Sequence, residues 1–368
     1  MSNRIKLKVI VIILSFLASC SYNPQSNEEN SSFLPRASGE NNEMLIVMDS
    51  SKFKGNIGRA LVETYGEFLK GLPQPEPRYD LRYIRPRKFN NILKHAKNIV
   101  IAFTLEGKSL DSEILRKSFN SESLDKIKTD SSLFYFSRRD QYAKGQTILY
   151  LFSKTDDDLY IKIKKNKSAI LKYFEDELKK RVDREIFSKQ EKNISDKLFE
   201  DHQIKIKIPY GYDLAKNIKG KNKNFFWLRH LDPEFEKNIF LYYEDYEESE
   251  LKNFYGVFNT DNPNIKSIRN KISKLYLTDS ENSKIFMSIQ GVFPIISKNI
   301  NFKGNSSVES VGLWKLSDIS AGGPFKSIII YDSNKKRIYF IEGYVYAPGS
   351  KKRNLMQEIS SILMTFEI

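Results

Sequence analysis

One cysteine, Cys20, stands in a chain of 368 residues. No internal disulfide can staple such a chain, so its fold must be held by packing alone. The composition supplies the means: 40% of residues are hydrophobic and 13% aromatic, with 25 Phe and 20 Tyr. That length can bury a substantial core and suggests two domains or one large one.

The position of Cys20 carries a second message. Arg4, Lys6 and Lys8 precede an apolar run from Val9 to Leu17, which ends in Leu17-Ala18-Ser19-Cys20. A basic start, a short apolar core and small residues make a secretory signal segment, too short for a stop-transfer helix. Small residues before a lone cysteine resemble the lipobox of bacterial lipoproteins. We therefore expect a signal peptide at 1–19 and acyl chains on Cys20. The plainer alternative is an ordinary signal peptide with an incidental cysteine. Each buried methylene adds about 0.8 kcal/mol, and stable anchoring needs more than one chain. The expected location is the cell envelope, lipid-anchored, with Ser21 pointing to the outer membrane. Residues 20–43, rich in Ser, Asn and Glu, read as a lipidated flexible tether spanning roughly 25 Å as a coil.

Charge is less informative. The formal net charge of +14 becomes +11 without Arg4, Lys6 and Lys8. The lysines are scattered among acids, which favours a compositional bias over a footprint for anionic surfaces. Export argues against nucleic acid as a partner.

Along the body, the apolar runs Met44–Met48, Asn98–Phe103, Leu133–Ser137 and Gln146–Phe152 predict strands. Ile57 to Leu69 has helical spacing, with Asn56 as the cap and Gly71 as the end. The prolines of Leu72–Pro77 predict a rigid connector rather than helix. Ser168–Ile186 carries an apolar stripe and i,i+4 ion pairs, and its pattern continues to Leu198. Ile204, Ile206 and Ile208 alternate as in a half-buried strand. Strands are expected at Phe225–Arg229, Asn238–Tyr243 and Ser310–Trp314, and a turn at Asp261–Pro263. A helix is expected at Ile265–Leu275. Ser327–Tyr331 and Arg337–Tyr346 flank a polar turn and predict a hairpin. A helix from Leu355 to Leu363 closes the chain. The expected fold is α+β, with antiparallel or mixed sheets and helices on one face. Two related α+β halves are expected, at 44–201 and 202–368.

Several passages resemble a family of Bacteroidota lipoproteins, domain of unknown function 4837. They are Met44–Asp49, Gly71–Pro77, Trp227-Leu228-Arg229, Gly322–Phe325, and Glu342–Gly349 continuing through Lys352–Met356. The resemblance implies an envelope location. It supplies no catalytic residues.

No motif announces chemistry. There is no His-Glu-x-x-His, no Cys-x-x-Cys, no P-loop and no nucleophile elbow. His95, His202 and His230 stand alone, and neither a metal nor a cofactor is expected. Asp156-Asp157-Asp158 lacks the alternating spacing and distal Glu of a calcium loop and reads as a solvated turn. Gly322, Gly323 and Pro324 read as a tight entry into a strand, with an anion-binding loop as the alternative. The best candidate surface follows them. Glu342, Tyr344 and Tyr346 share one strand face, with Arg337 on the preceding turn and Arg229 ending another strand. An open face of this kind suits a sugar or peptide. The plainer reading has the tyrosines covering a helix and Glu342 paired to an arginine. A non-catalytic binding or scaffolding protein, with an envelope protein or glycan partner, is the expected function. The alternative is an envelope glycan or peptide hydrolase that pairs Glu342 with Asp332.

Overall fold

The computed structural model describes residues 33–221, 223–246, 264–279 and 282–368. Cys20, the signal segment and the expected turn at 261–263 lie outside them.

The first half is built on apolar runs with no polar alternation. Strands β1 (Glu43–Met48), β3 (Asn98–Thr104) and β5 (Thr147–Ser153) are buried almost end to end. Such runs belong to a parallel sheet covered on both faces. These strands do lie parallel, with β2 (Asp80–Ile84) at one edge and antiparallel β4 (Tyr135–Arg139) at the other. The order is β2-β1-β3-β5-β4. Met44, Ile46 and Met48 point to helices α2 (Asn56–Tyr65), α6 (Asp156–Lys165) and α7 (Lys167–Ile186). Leu45 and Val47 point the other way, toward α4 (Leu110–Lys117) and α5 (Ser121–Thr129). Helices thus cover both faces of this sheet, where the sequence suggested one. Short helices α1 (Ser50–Lys54) and α3 (Asn91–Lys94) complete this half.

The second half is an eight-stranded antiparallel sheet among the described residues. Its order is β10 (Ile296–Phe302), β11 (Asn305–Leu316), β12 (Gly322–Asp332), β13 (Arg337–Tyr346), β8 (Glu236–Asp245), β7 (Lys223–Leu231) and β6 (Asp213–Lys219), with β9 (Met287–Ile289) beside β11. Strand alternation divides the core. Ile341 and Val345 face helices α8 (Lys192–His202) and α10 (Arg353–Leu363). Phe340 and Tyr344 face helix α9 (Asn264–Tyr276).

Several boundaries differ from the sequence reading. The expected tether at 20–43 runs too far. Lys144 N donates to Pro35 O at 2.7 Å, Ser38 N to His95 O at 2.8 Å, and Asn42 Nδ2 to Arg78 O at 2.9 Å. These bonds pin residues 35–42 to the first half despite their polar composition. Helix α2 stops at Gly66, whose N–H bonds back to Val62 O, and Asn56 is its first residue, not its cap. Ile204, Ile206 and Ile208 are buried as the alternation demands, yet this segment makes only isolated bridges. Helix α8 packs Leu198 into the second core, so the halves divide before it rather than at residue 201.

A buried clasp joins the halves. Helix α10 has no capping side chain of its own. Glu76, from the proline-rich connector, accepts from the N–H groups of Lys352 at 2.8 Å and Arg353 at 3.0 Å. Arg353 in turn donates to Pro77 O at 2.7 Å and Asp80 Oδ2 at 2.8 Å. A carboxylate from one half therefore caps a helix of the other, where both bare N–H groups and the helix dipole favour negative charge.

Candidate functional site

On the sheet face beneath α9, cross-strand register sorts side chains into rows. The outermost row is Leu231, Glu236 and Tyr346. The next is Arg229, Asn238, Tyr344 and Phe325. The third is Trp227, Phe240, Glu342, Ser327, Ser310 and Ser297. Burial deepens from row to row. Leu231 is exposed and Glu236, Tyr346, Arg229 and Trp227 are half-buried, whereas Asn238, Tyr344, Phe325, Phe240 and Glu342 are buried.

The half-buried corner has the chemistry of a binding surface. The Arg229 guanidinium lies 5.6 Å from the centre of the Trp227 ring, a cation–π distance. The Trp227 indole donates to Asn238 Oδ1 at 3.0 Å, which fixes its plane. Arg229 Nε is buried without a hydrogen-bond partner. Tyr346 lies 6.4 Å from Trp314, which packs edge-on to Tyr344 at 5.3 Å. Trp314 Nε1 donates to Val345 O at 3.1 Å. That contact requires Gly323, since a Cβ there would come within 2.0 Å of Val345 O.

The other candidate residues are placed differently. Gly322, Gly323 and Pro324 are not a loop but the first residues of β12, paired with Lys315, Trp314 and Leu313. Glu342 is not displayed. It and Arg269 of α9 are both 0% exposed, joined by Nε–Oε1 at 3.0 Å, Nε–Oε2 at 2.9 Å and Nη2–Oε1 at 2.8 Å. Arg269 also donates to Ser288 O at 3.2 Å and sits 4.6 Å over the Phe325 ring. Burial pushes the Glu342 carboxyl above its ordinary range against the pull of Arg269, and burial raises the Tyr344 phenol. The open-face reading therefore fails for Glu342 and Tyr344, because α9 covers them. Arg337 is at the opposite end of β13, bonded to Asp245 at 2.6 Å. Nine residues of strand put it about 30 Å from Tyr346. Asp332 accepts from the amides of Asn334 and Lys335. It lies five residues along β12 from Ser327, the partner of Glu342, about 17 Å away. Paired glycosidase carboxyls stand about 5–9.5 Å apart, so this pair cannot flank one bond.

His202 is buried between Tyr243 OH at 3.0 Å and Asn217 Oδ1 at 2.6 Å, and burial lowers its pKa. Among the described residues no three His, Cys, Asp or Glu side chains gather in a metal-binding group.

Sequence reasoning missed a second polar cluster. In the first sheet β1 lies between β2 and β3, so strand order reverses there. Open α/β sheets bind ligands beyond the carboxyl ends of strands at such points. Asp49 follows β1 and accepts from Ser51 N at 2.7 Å and from the Ser109 hydroxyl. Burial opposes its ionisation, but the bonds from Ser109 and Ser51 hold its carboxyl below the usual range. Lys52 pairs with Asp156, which accepts from Thr104 Oγ1 at 2.6 Å. The triple aspartate is thus the first turn of α6, capped by Thr155, not a free turn. The available signal was positional: each apolar strand is followed at once by Asp, Ser, Thr or Lys. These groups mostly satisfy one another.

Residues 191–365 match the family model Domain of unknown function (DUF4837), and residues 37–187 match Domain of unknown function (DUF8532). The motifs at 44–49 and 71–77 fall in the second of these matches. No curated protein is significantly similar to the chain. Two solved structures align weakly: a Mog1 mutant at 11% identity and the Saccharomyces cerevisiae Ran-binding protein Mog1p at 10%. Each covers 45% of this chain, with 90% and 89% of its own length aligned, at a TM-score of 0.26. Nothing about this chain follows from so loose a superposition. The chain joins a first half that matches the DUF8532 model to a second half that matches the DUF4837 model.

Proposed function

We propose that this protein is a lipid-anchored envelope protein that binds a partner without chemistry, through the corner formed by Trp227, Arg229, Glu236 and Tyr346. The observation that carries the reading is Arg229. It is half-buried, stacked on Trp227 and without an ion-pair partner among the described residues. A half-buried cation beside an indole ring suits an anionic group on a flat or extended ligand, such as an acidic sugar or peptide. Arginine and aromatic anchors are also the residues that dominate binding energy at interfaces. The signal segment and Cys20 support the envelope location.

The test has two arms. Cys20→Ala should abolish labelling by palmitate and release the protein from membranes; unchanged partition refutes the anchor. Arg229→Ala and Tyr346→Ala should each weaken binding to isolated cell-wall glycan or cross-linking to envelope proteins about five- to thirtyfold, with an unchanged melting temperature. Full retention of both readouts in both variants refutes the site.

A further inference from the structure

We infer that strand β10 is a docking edge for an extended acidic peptide, which adds as a further strand to the second sheet. The two edges of that sheet are unequal. The β6 edge is broken by a register shift between Leu214 and Lys216, a usual device against unwanted pairing. The β10 edge has none. All seven residues, Ile296 to Phe302, pair with β11 in unbroken register. The strand contains no proline and one lysine, and no described strand pairs with its outer side.

Hairpin geometry shows which groups face outward. Lys303 and Gly304 form a two-residue turn with φ of 50° and 92°, the mirror-image turn that joins twisted strands. Its flanking pair, Phe302 and Asn305, exchanges both backbone bonds. Alternation then turns Ile300, Lys298 and Ile296 toward β11 as well. The N–H and C=O groups of Ser297, Asn299 and Asn301 therefore point away from the sheet. The Ser297 and Ser310 hydroxyls, 2.9 Å apart, fit the closer non-bonded pairing this assigns them.

Two further features select the occupant. A cleft of about 260 Å³ opens beside Phe302, Ile330 and Phe366 on the same face as Ile296 and Ile300. Strand addition obtains affinity from backbone bonds and specificity from such side-chain pockets. The surrounding charge is positive. Lys298 and Lys326 share Glu309, at 2.9 Å each, while Lys303, Lys205 and Lys207 all act on Glu367. Five lysines face two carboxylates, so the edge attracts acidic strands and repels basic ones. That positive field also disfavours a second copy of this basic edge.

The probe is a fluorescent seven-residue peptide of valine, threonine and glutamate, with its lysine-for-glutamate counterpart as control. Proline is tolerated in an edge strand where its missing N–H would face solvent. Asn299→Pro should therefore leave the β10–β11 ladder intact and remove one docking bond. We expect saturable binding of the acidic peptide, weakened about tenfold by Asn299→Pro. Lys298→Glu/Lys303→Glu leaves the backbone unaltered and should invert the preference between the two peptides. This second variant decides the matter if Asn299→Pro lowers the melting temperature. Absent binding, or binding indifferent to both variants, overturns the inference. Concentration-dependent dimerisation abolished by Asn299→Pro would overturn it in favour of a second copy.

Discussion

Replacing Glu342 by alanine should destabilise the second half, not disarm a site. The carboxylate carries three of the contacts made by Arg269, and both side chains are wholly buried. Removing one member of a buried pair leaves the other charge uncompensated, at a cost of about 3–5 kcal/mol. The Ser288 carbonyl and the Phe325 ring would remain around Arg269, which places the expectation near the lower end. With a urea m-value of about 2–3 kcal/mol/M, the midpoint should fall by about 1–2 M.

The readout is clean because the chain has two tryptophans, Trp227 and Trp314, both in the second sheet. Fluorescence therefore follows that half even if the two halves unfold separately. The double replacement Arg269→Met/Glu342→Leu removes both charges and should recover most of the loss, since apolar pairs often match buried ion pairs. A midpoint shift below about 0.3 M for Glu342→Ala, or no recovery in the double variant, would refute the structural role.

Glu76→Ala should uncap α10 and cost about 1–3 kcal/mol; proteolysis between residues 187 and 191 should accelerate, and an unchanged cleavage rate would count against the clasp. Gly323→Ala drives a methyl onto Val345 O and should cost about 1–3 kcal/mol with altered Trp314 emission; a neutral effect on both would show that β12 can move there. His202 has a folded-state pKa below its ordinary 6.5 because burial disfavours the charged ring. The unfolded chain then binds more protons below that value, so stability is full above about pH 6.5 and falls as pH drops toward the folded pKa. Melting temperatures from pH 8 to 5 should show this slope, and His202→Asn should flatten it. His230, also lowered by burial, adds a slope of the same sign.

What could be read from residues alone followed the range of the signal. The runs at 44–48 and 98–103 were legible as strands because burial on both faces leaves no polar alternation. The hairpin of β12 and β13 was legible because five polar residues, Asp332 to Lys336, separate its apolar runs. Glu342, Tyr344 and Tyr346 were legible as sharing one face of β13 because strand faces repeat every second residue. The parallel order β2-β1-β3 was not, since a crossover leaves no mark on the strand it returns to. Nor was the burial of Glu342, whose partner Arg269 lies 73 positions away on another element. The tether was overextended for a related reason: polar residues such as Asn42 look solvated until a distant carbonyl, here Arg78 O, is known to receive them.

The same long-range bonds give the proposed binding corner a defined relation to the anchor. Under acylation of Cys20, the covalent reach from that residue to Pro35 is at most about 50 Å. From Pro35 onward the chain is bonded to the first half, and Glu76 and Arg353 fasten that half to α10. Helix α10 packs on one face of β13 through Ile341 and Val345. The next residue, Tyr346, stands on the opposite face beside Glu236. Strand β13 therefore packs on the clasped helix with one face and lines the proposed binding corner with the other. Loosening Glu76 should be felt at Tyr346 without any change in the residues that line the corner. A partner bound there would in turn resist opening of the junction, because strand β13 cannot shift on one face alone in a close-packed core.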